Sequence, residues 1–449
     1  MNKNIESKKQ NHLMFVPIAF FIICIIFFVI NNKASLKTFW IGGFFSMFLA
    51  FVLTQNKGEF GEKCIQHLKN NVLINCIIIF VLAGILSSIL KSTGVSNAFL
   101  MLFINMGIDV RFFPLIVFII CCLVSTSIGT STGTISMAVP IFLPLTTIIN
   151  CNPALILGAI VCGSFFGDNL SPISDTTIIS INTMKVELYE TLKQRAKISL
   201  ICFGLSCIVY IILGYYFIPN NTIVLEYNYS LSPLVMMLTF IIMAILLIKK
   251  KDIISVLLVC DMAAIVIAVL FGFINIEELL CSNSCIVTGI EGVFGVIIFW
   301  IFLFILTGFI PEETLENIAN KNLKSEKKSN FLGIAIIILS VLMVANNTAA
   351  MSLIRKFINK CFKNKTQIEK ANIFDGLSCA VPGLLPYNTA FMLMISMAYD
   401  TGCISQNFSV FLILLFSVNS IFLLIFYIIL ALRKSKTYKI SWKICKYML

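Results

Sequence analysis

Charged side chains are scarce in this sequence of 449 residues. Asp, Glu, Lys and Arg together make up 12% of the chain, whereas hydrophobic residues make up 59% and the mean hydropathy is +0.98. Ordinary soluble domains carry about 25% charged residues. So low a share of charge, combined with long apolar runs, excludes a soluble globular protein and predicts an all-α polytopic membrane protein.

Histidine is rarer still, and the cysteines form no metal-binding pattern. The two histidines, His12 and His67, both lie in polar segments, which argues against a zinc site or a histidine-based active site. The sixteen cysteines are spread mostly through apolar runs without CxxC pairs, as expected of small buried hydrophobes. We therefore expect no cofactor, and we expect that the protein is not an enzyme.

Thirteen apolar runs are separated by short loops that contain most of the lysines. The runs are 13–30, 39–53, 72–90, 112–126, 135–149, 154–166, 198–218, 233–248, 253–273, 293–310, 331–345, 386–398 and 407–432. Because cytoplasmic loops are rich in Lys and Arg, the charge pattern predicts about ten net crossings plus two hairpins, with both termini cytoplasmic. The net charge of +12 then reflects topology and contacts with anionic lipids rather than nucleic-acid binding.

One polar stretch, Gly163 to Thr177, interrupts a hydrophobic segment with two carboxylates and a proline. Irregular backbone at membrane depth survives only where it lines a protein cavity, and intramembrane acids are usually functional. The stretch therefore predicts a broken helix over 154–183 that binds a cation; the alternative is a surface loop with solvated acids. The candidate ligands for ions and protons are Asp168, Asp175, Asn169, Ser171, Ser174, Thr176 and Thr177, with Asp168 and Asp175 as the Na⁺ ligands.

The order of features recurs later in the chain. A hairpin at 112–149 with the polar tip 125–134 precedes the first broken helix, and a hairpin at 331–360 with the tip 345–350 precedes a second broken helix at 371–398. Paired discontinuous helices in inverted repeats are typical of secondary transporters. The predicted units are an N-terminal part (1–71), a first repeat (72–232) and a second repeat (233–449). The polar residues expected to line the pathway are Ser127, Thr130, Thr132, Thr134, Asn346, Asn347, Thr348, Asn388 and Thr389.

Two further acids fall within the membrane segments. Asp261 stands alone in an apolar run, and we leave open whether it is a structural acid or a proton carrier. Asp375 begins the second broken stretch, where we interpret it as a cap or loop carboxylate near the cytoplasmic face. No Lys or Arg is expected to be buried at the site, and a pocket with two carboxylates and no buried base favours a cation over an anion.

The motif Gly167-Asp-Asn-Leu-Ser-Pro-Ile-Ser-Asp-Thr-Thr177 resembles the GDxxSxxSDTT signature of the NhaC family of bacterial Na⁺/H⁺ antiporters, which are inverted-repeat carriers. The hydroxyl-rich segment 127–134 is similar to the family's upstream hairpin tip, and segments 345–348 and 383–388 look like its C-terminal counterparts. The resemblance implies that Asp168 and Asp175 carry the ion and the proton. It also implies a bacterial plasma-membrane protein, and antiporters of this kind are often homodimers.

The expected activity is Na⁺/H⁺ exchange by alternating access, with Na⁺ as the transported ion. The alternative on the same fold is a Na⁺- or H⁺-coupled carrier of a small carboxylate or amino acid, because fold alone does not assign cargo. A membrane-embedded enzyme lacks any nucleophile–base pair in this sequence. A channel is disfavoured by the matched inverted breaks.

Overall fold

The structure is a computed structural model that describes residues 15–31, 36–69, 71–95, 98, 101, 105, 109–219, 230–249, 251–309, 325–362, 364–405 and 408–433. The predicted cytoplasmic termini fall on residues outside these ranges. The α-helices within them are α1 (Val16–Ile30), α2 (Leu36–Leu53), α3 (Phe60–Leu68), α4 (Asn71–Thr93), α5 (Phe113–Ile128), α6 (Ser131–Phe142), α7 (Leu145–Ile148), α8 (Pro153–Leu170), α9 (Asp175–Met184), α10 (Leu188–Phe217), α11 (Met237–Ile248), α12 (Ile253–Leu270), α13 (Ile276–Leu279), α14 (Cys285–Gly308), α15 (Glu326–Val344), α16 (Asn347–Ile358), α17 (Gln367–Ala380), α18 (Thr389–Asp400), α19 (Val410–Phe416) and α20 (Val418–Leu432).

The chain is an all-α polytopic membrane protein, as predicted. Within the described residues, eight helical segments are long and apolar enough to cross a membrane, or nine if the bent pair α19 and α20 counts as one span. Four shorter apolar helices accompany them. The two most deeply buried spans are Pro153–Met184 and Gln367–Tyr399, each 94% buried over its most apolar window. These are the two segments that contain the predicted breaks, so the breaks lie in the interior of the bundle.

The first hairpin tip is a single turn between α5 and α6. Gly129 ends α5 in the left-handed conformation (φ +77°), which glycine adopts without the steric penalty of a Cβ atom. A Cβ atom at this position would also lie 2.7 Å from Ile173 Cγ1, because the tip packs directly on the break in the next segment. That break comprises the four residues 171–174 between α8 and α9.

The second hairpin and break repeat this arrangement with different residues. Ala345 ends α15 with a left-handed φ of +54°, and α16 begins at Asn347. The second break covers 381–388 and includes one 3₁₀ turn, Pro382–Leu384. Asn388 caps α18 by accepting a hydrogen bond from the Ala390 N–H at 3.0 Å.

The two hairpins pack crosswise on the two broken segments. The second arm of the first hairpin, α6, packs against α18 after the second break, and the second arm of the second hairpin, α16, packs against α9 after the first break. Helices α8 and α17, which lead into the breaks, also contact each other. This reciprocal packing brings both tips and both breaks to one region of the bundle.

The last apolar run contains a bend that the sequence did not predict. Helices α19 and α20 meet at an angle of 60° next to Ser417, although 407–432 is one continuous apolar run. The bend leaves the Phe416 carbonyl outside the helical hydrogen-bond pattern, and the Tyr210 hydroxyl donates to it at 2.9 Å. Gly158 of α8 lets this backbone approach closely, since a Cβ atom there would lie 2.8 Å from the Phe416 carbonyl oxygen.

Candidate functional site

The Asp168 carboxyl lies in the interior, one turn before the first break. It is 4% exposed and belongs to the last turn of α8. Ser131 donates to it through its hydroxyl and backbone N–H, and Asn347 Nδ2 lies 3.4 Å from Oδ2. No ion pair to Asp168 is found among the described residues. The carboxyl is therefore surrounded by neutral donors, one from each repeat.

These donors are the first residues of two helices. Ser131 begins α6 and Asn347 begins α16, so the N-terminal ends of both hairpins' second arms face Asp168. The partial positive charge of a helix N-terminus favours an anion there. The two helix ends therefore lower the free-energy cost of an ionised carboxylate in the interior, but they do not supply a full positive charge to pair with it.

Asp175 occupies a different environment from the one we expected. The sequence predicts it beside Asp168 in a sheltered pocket, whereas the structure places it at the start of α9 with an exposed side chain. A carboxylate in the first turn of a helix is stabilised by the helix dipole, so it needs no second partner. Of the two predicted Na⁺ ligands, only Asp168 is buried.

The four hydroxyl residues in and just after the break, Ser171, Ser174, Thr176 and Thr177, are all buried, and Thr176 connects several groups. Its Oγ1 donates to the Asp168 carbonyl oxygen at 3.2 Å and lies 3.0 Å from Ser174 Oγ. Ser171 packs under the Gly129 tip, and Thr177 Oγ1 accepts from an arginine described below. Carboxyl, carbonyl and hydroxyl oxygens, the ligands that hard cations prefer, are therefore concentrated at this break.

A buried ion pair lies next to these hydroxyls, and it corrects two expectations. Arg195 Nη1 is 2.7 Å from Asp375 Oδ2, and both side chains are 0% exposed. The sequence interpreted Asp375 as a cap or loop residue, and that interpretation is wrong. Asp375 lies inside α17, where the interior requires a counter-charge. The expectation that no base is buried at the site is wrong for the same reason.

Asn169 joins the ion pair to Asp168, its neighbour in the chain. Its Nδ2 donates to Asp375 Oδ2 at 2.9 Å, and its carbonyl oxygen accepts from Arg195 Nη1 at 2.8 Å. Its Oδ1 accepts from Ser199 Oγ at 2.7 Å. Asn169 is thus a positioning residue whose polar groups are taken by protein partners, rather than a free ligand.

The other predicted pathway residues mostly hold the tips together. At the second tip the Ala345 carbonyl oxygen accepts from Asn388 Nδ2 and from the Thr389 N–H, and Asn346 Nδ2 donates to Thr389 Oγ1 at 3.1 Å. Thr348 is partly exposed. At the first tip Ser127 and Thr134 donate to carbonyls one turn earlier, and Thr130 and Thr132 bond each other. Asn347 is the residue of this set with a contact to Asp168.

Arg195 was missed although the sequence holds a signal for it. The buried residues of α10 recur every three or four positions along one face, which marks the side that points into the bundle. They are Thr191, Arg195, Ser199, Cys202, Ser206, Tyr210 and Gly214. Arg195 lies on this small and polar stripe, whereas Lys193 and Lys197 lie off it and are exposed.

Asp261 is buried in a separate part of the bundle. It is 4% exposed, and neither carboxyl oxygen has a hydrogen-bond partner among the described residues. Its helix, α12, packs against α4 and α11 rather than against the broken segments. The structure therefore does not join Asp261 to the candidate site.

Comparison with known proteins relates part of the chain to one family of transporters. The sequence profile of the Na⁺/H⁺ antiporter family matches residues 8–217, which include the first hairpin, the first broken segment and Arg195. An uncharacterized Na⁺/H⁺ antiporter of Haemophilus influenzae is 34% identical over 154 residues, which cover 31% of this chain and 32% of that protein.

Two further relatives have lower sequence identity to this chain. The Na⁺/H⁺ antiporter NhaC of Alkalihalophilus pseudofirmus is 26% identical over 141 residues (31% of this chain, 30% of that protein). The malate-2H⁺/Na⁺-lactate antiporter of Bacillus subtilis is 24% identical over 136 residues (28% and 29%). The chain thus matches about a third of the length of each of these curated relatives. The resemblance predicted from the motif around Asp168 is confirmed: residues 8–217, slightly less than half of the chain, match the profile of the Na⁺/H⁺ antiporter family.

Proposed function

We propose that this protein is a secondary active transporter that exchanges Na⁺ for H⁺ by alternating access, with Asp168 as the exchange site. Asp168 releases a proton when Na⁺ binds and takes one up when Na⁺ leaves. The neighbouring oxygens of the break, including those of Ser174 and Thr176, complete the coordination of Na⁺. The protein acts as a carrier rather than as an enzyme.

The observation that carries this proposal is a buried carboxyl at a helix break, with no cationic partner in the part of the chain that the structure describes. A carboxylate in the interior is costly unless a positive charge or a proton compensates it. Ser131 and Asn347 reduce that cost without removing it, because both are neutral donors. Asp168 is therefore suited to bind one cation or one proton in turn, which is what exchange requires.

The surroundings of Arg195 also favour a cation as cargo. A buried arginine binds an organic anion only if its N–H groups are free to donate to it. Arg195 Nε, Nη1 and Nη2 all donate to protein groups, namely Asn372, Asn169, Thr177, Ser180 and Asp375. The arginine is therefore an internal counter-charge and not a substrate clamp.

The remaining assignments extend the same proposal. The protein lies in a bacterial plasma membrane with both termini in the cytoplasm, consistent with its loop lysines. Those lysines contact anionic lipids, and the working assembly is a homodimer.

The two hairpins and broken segments move together against the other spans. Asp175, exposed at the start of α9, attracts Na⁺ to the entrance rather than holding it in the site.

The test uses purified protein in liposomes that contain a pH-sensitive dye at acidic internal pH. Adding NaCl outside should make the interior alkaline, because Na⁺ enters as H⁺ leaves. Choline chloride, and liposomes without protein, should give no change. An unchanged internal pH with NaCl, in liposomes shown to contain folded protein, would refute Na⁺/H⁺ exchange.

A second candidate is a carrier of a small carboxylate driven by Na⁺ or H⁺. The specific observation in its favour is the convergence of the N-termini of α6 and α16, since such ends also bind organic anions. The relative from Bacillus subtilis is named for malate and lactate. In the same liposomes, a pH change that requires malate or lactate in addition to Na⁺ would favour this candidate, and a full response to Na⁺ alone would exclude it.

A further inference from the structure

A cavity of about 160 Å³ lies between the two arms of the first hairpin and α11. On its other sides α6 packs against α4, α5, α8 and α18, and each of its residues except Thr132 is buried. The cavity is thus a gap in the packing around a helix that is otherwise enclosed by protein. The wall includes Ile120 and Val124 of α5, Met137 and Ile141 of α6, and Met237 and Phe240 of α11.

The wall of this cavity is apolar. Cys121 and Thr134 are the two wall residues with a polar side-chain atom, and the Thr134 hydroxyl already donates to the Thr130 carbonyl oxygen at 3.1 Å. A buried thiol behaves as a small hydrophobe. A water molecule in a cavity needs about two to four polar partners, whereas an apolar cavity of about 150 Å³ stays dry and binds benzene. The wall therefore favours an apolar ligand over water or an ion.

The cavity opens toward the lipid-facing side of the protein. Ile120, Val124 and Met237 are half-buried, whereas the other wall residues are buried. Leu123 and Leu238, their neighbours in the chain, are 65% and 47% exposed. Ile120 lies near the middle of α5, which belongs to a candidate span, and exposed apolar side chains at that depth contact acyl chains. The mouth of the cavity is therefore continuous with the surface that contacts the bilayer.

We propose that this cavity binds the end of an acyl chain from a surrounding lipid, which packs between the first hairpin and α11. At this depth the acyl chain is the apolar molecule that the bilayer itself supplies. A wall without a partner forfeits dispersion contacts, and a chain end of about the size of benzene restores them. The rest of the chain passes the mouth and lies along the exposed Leu123. Because the contacts are apolar, they select the chain and not the headgroup.

The bound chain contacts the helix that reaches the candidate site. Thr134, in the wall of the cavity, lies one turn after Ser131, the residue of α6 that donates to Asp168. The lipid therefore supports the first hairpin on the side of α11, where the packing of the protein leaves a gap. Binding of the chain does not depend on which cargo the protein carries.

The experiment uses the full-length protein in liposomes of phosphatidylcholine that has a diazirine at the terminal carbon of one acyl chain. After irradiation, mass spectrometry of peptides locates the residues that form covalent adducts. Adducts are expected on Met137 and Phe240, which are buried and line the cavity, as well as on the exposed Leu123. Leu155 of α8, which is fully buried and is not part of the wall, should carry none.

Two variants show whether the label reaches the buried residues through the cavity. Ala138→Phe places a ring of about the ligand's size inside the cavity, because Ala138 lies in its wall. Adducts on the buried wall residues should then fall to the level of Leu155, while labelling of Leu123 is retained. The matched control is Leu238→Phe, which adds the same ring on the lipid-facing side and should leave the adducts in the cavity unchanged.

Three results would overturn the inference. Label on Leu123 without label on Met137 and Phe240 would mean that the cavity is closed to the bilayer or is filled by another part of the chain. No label on Leu123 either would mean that protein covers this face, as in an assembly of two copies. Undiminished adducts on the wall residues in Ala138→Phe would mean that the label reaches them by another route. If that variant does not fold, the comparison of Met137 and Phe240 with Leu155 in wild type still decides.

Discussion

Asp168 and Asp375 are both buried acids on broken helices, yet their surroundings differ in charge. Asp375 pairs with Arg195 at 2.7 Å, whereas Asp168 is surrounded by the neutral donors Ser131 and Asn347. A carboxylate next to a fixed cation stays ionised, because losing its charge would leave the cation unpaired in the interior. A carboxylate among neutral donors can change its charge state.

The comparison shows how one fold can hold a permanent charge and an exchangeable one side by side. The permanent pair joins α10 to α17, and the other acid, Asp168, is the one to which we assign transport in the proposal above. Asn169, which directly follows Asp168 in the chain, hydrogen-bonds both Asp375 and Arg195. The four predictions that follow test this division, starting from the largest expected effect.

Replacing Asp168 should abolish exchange. In Asp168→Asn the site carries no negative charge, so Na⁺-dependent pH change in liposomes should fall to the level of empty liposomes, although the protein folds. Asp261→Asn is the matched control, because it also neutralises a buried acid without an ion-pair partner in the described residues. Exchange by Asp168→Asn at a rate near that of Asp261→Asn would break the comparison.

Removing the base from the permanent pair should cost stability. Arg195→Met leaves Asp375 buried without its partner, which destabilises a protein by about 3–5 kcal/mol. The expected result is a lower Tm in detergent, measured by the loss of the monodisperse peak after heating.

The double variant Arg195→Met/Asp375→Leu sharpens this second prediction. It removes both charges, so most of the lost stability should return, and the two substitutions should not be additive. A double variant less stable than Arg195→Met would show that the ion pair is not a self-contained unit.

Asp261 extends the comparison to an acid with no hydrogen-bond partner among the residues that the structure describes. Asp261→Leu keeps the number of side-chain heavy atoms and removes two buried oxygens without hydrogen bonds in the described part of the chain. An unsatisfied buried polar group costs about 1–3 kcal/mol, so the variant should have a higher Tm. Exchange should continue at the wild-type rate, and its loss would mean that Asp261 takes part in transport.

The smallest expected effect concerns His67, whose protonation changes the stability of the fold with pH independently of the buried acids. It lies on α3, outside the candidate spans, where partial burial lowers its pKa below the ordinary value of 6.5. The folded state therefore favours neutral His67. The stability gained by burying neutral His67 is fully present above pH 6.5 and is lost as the pH falls through the lowered pKa.

The measurement is Tm between pH 5 and pH 8 for wild type and His67→Gln. As the pH falls from 8 to 5, the Tm of His67→Gln should decrease slightly less than that of wild type, while its exchange activity stays the same. An identical pH dependence of Tm in both proteins would show that the Ile305 carbonyl, 3.3 Å from Nδ1, compensates the effect of burial.

Much of the fold could be predicted because it depends on local chemistry. Apolar runs predict membrane helices, and the break after Asp168 follows from Pro172 and the hydroxyls around it, since such residues disrupt a helix in an apolar segment. Gly129 and the polar residues around it likewise predicted a turn between two helices. The bend near Ser417 was not predictable, because its freed carbonyl depends on Tyr210, which is distant in the sequence.

The candidate site was predicted only in part, for a related reason. Asp168 and Asp175 look alike in the sequence, and the motif treats them as a pair. Their burial differs because Ser131 and Asn347 meet at Asp168, whereas Asp175 lies at an exposed helix start. Arg195 falls outside the predicted apolar runs, between Lys193 and Lys197, although its spacing along α10 places it on the buried face.

By itself, the sequence determined that this chain is a helical membrane protein with two interrupted segments, because hydrophobicity and helix breaking are properties of neighbouring residues. Only the tertiary structure decided which acids are paired. The contact between Arg195 and Asp375 joins residues that are far apart in the sequence, and the charge of a buried group depends on what lies next to it in space. Among the described residues, that pairing leaves Asp168 without a counter-charge.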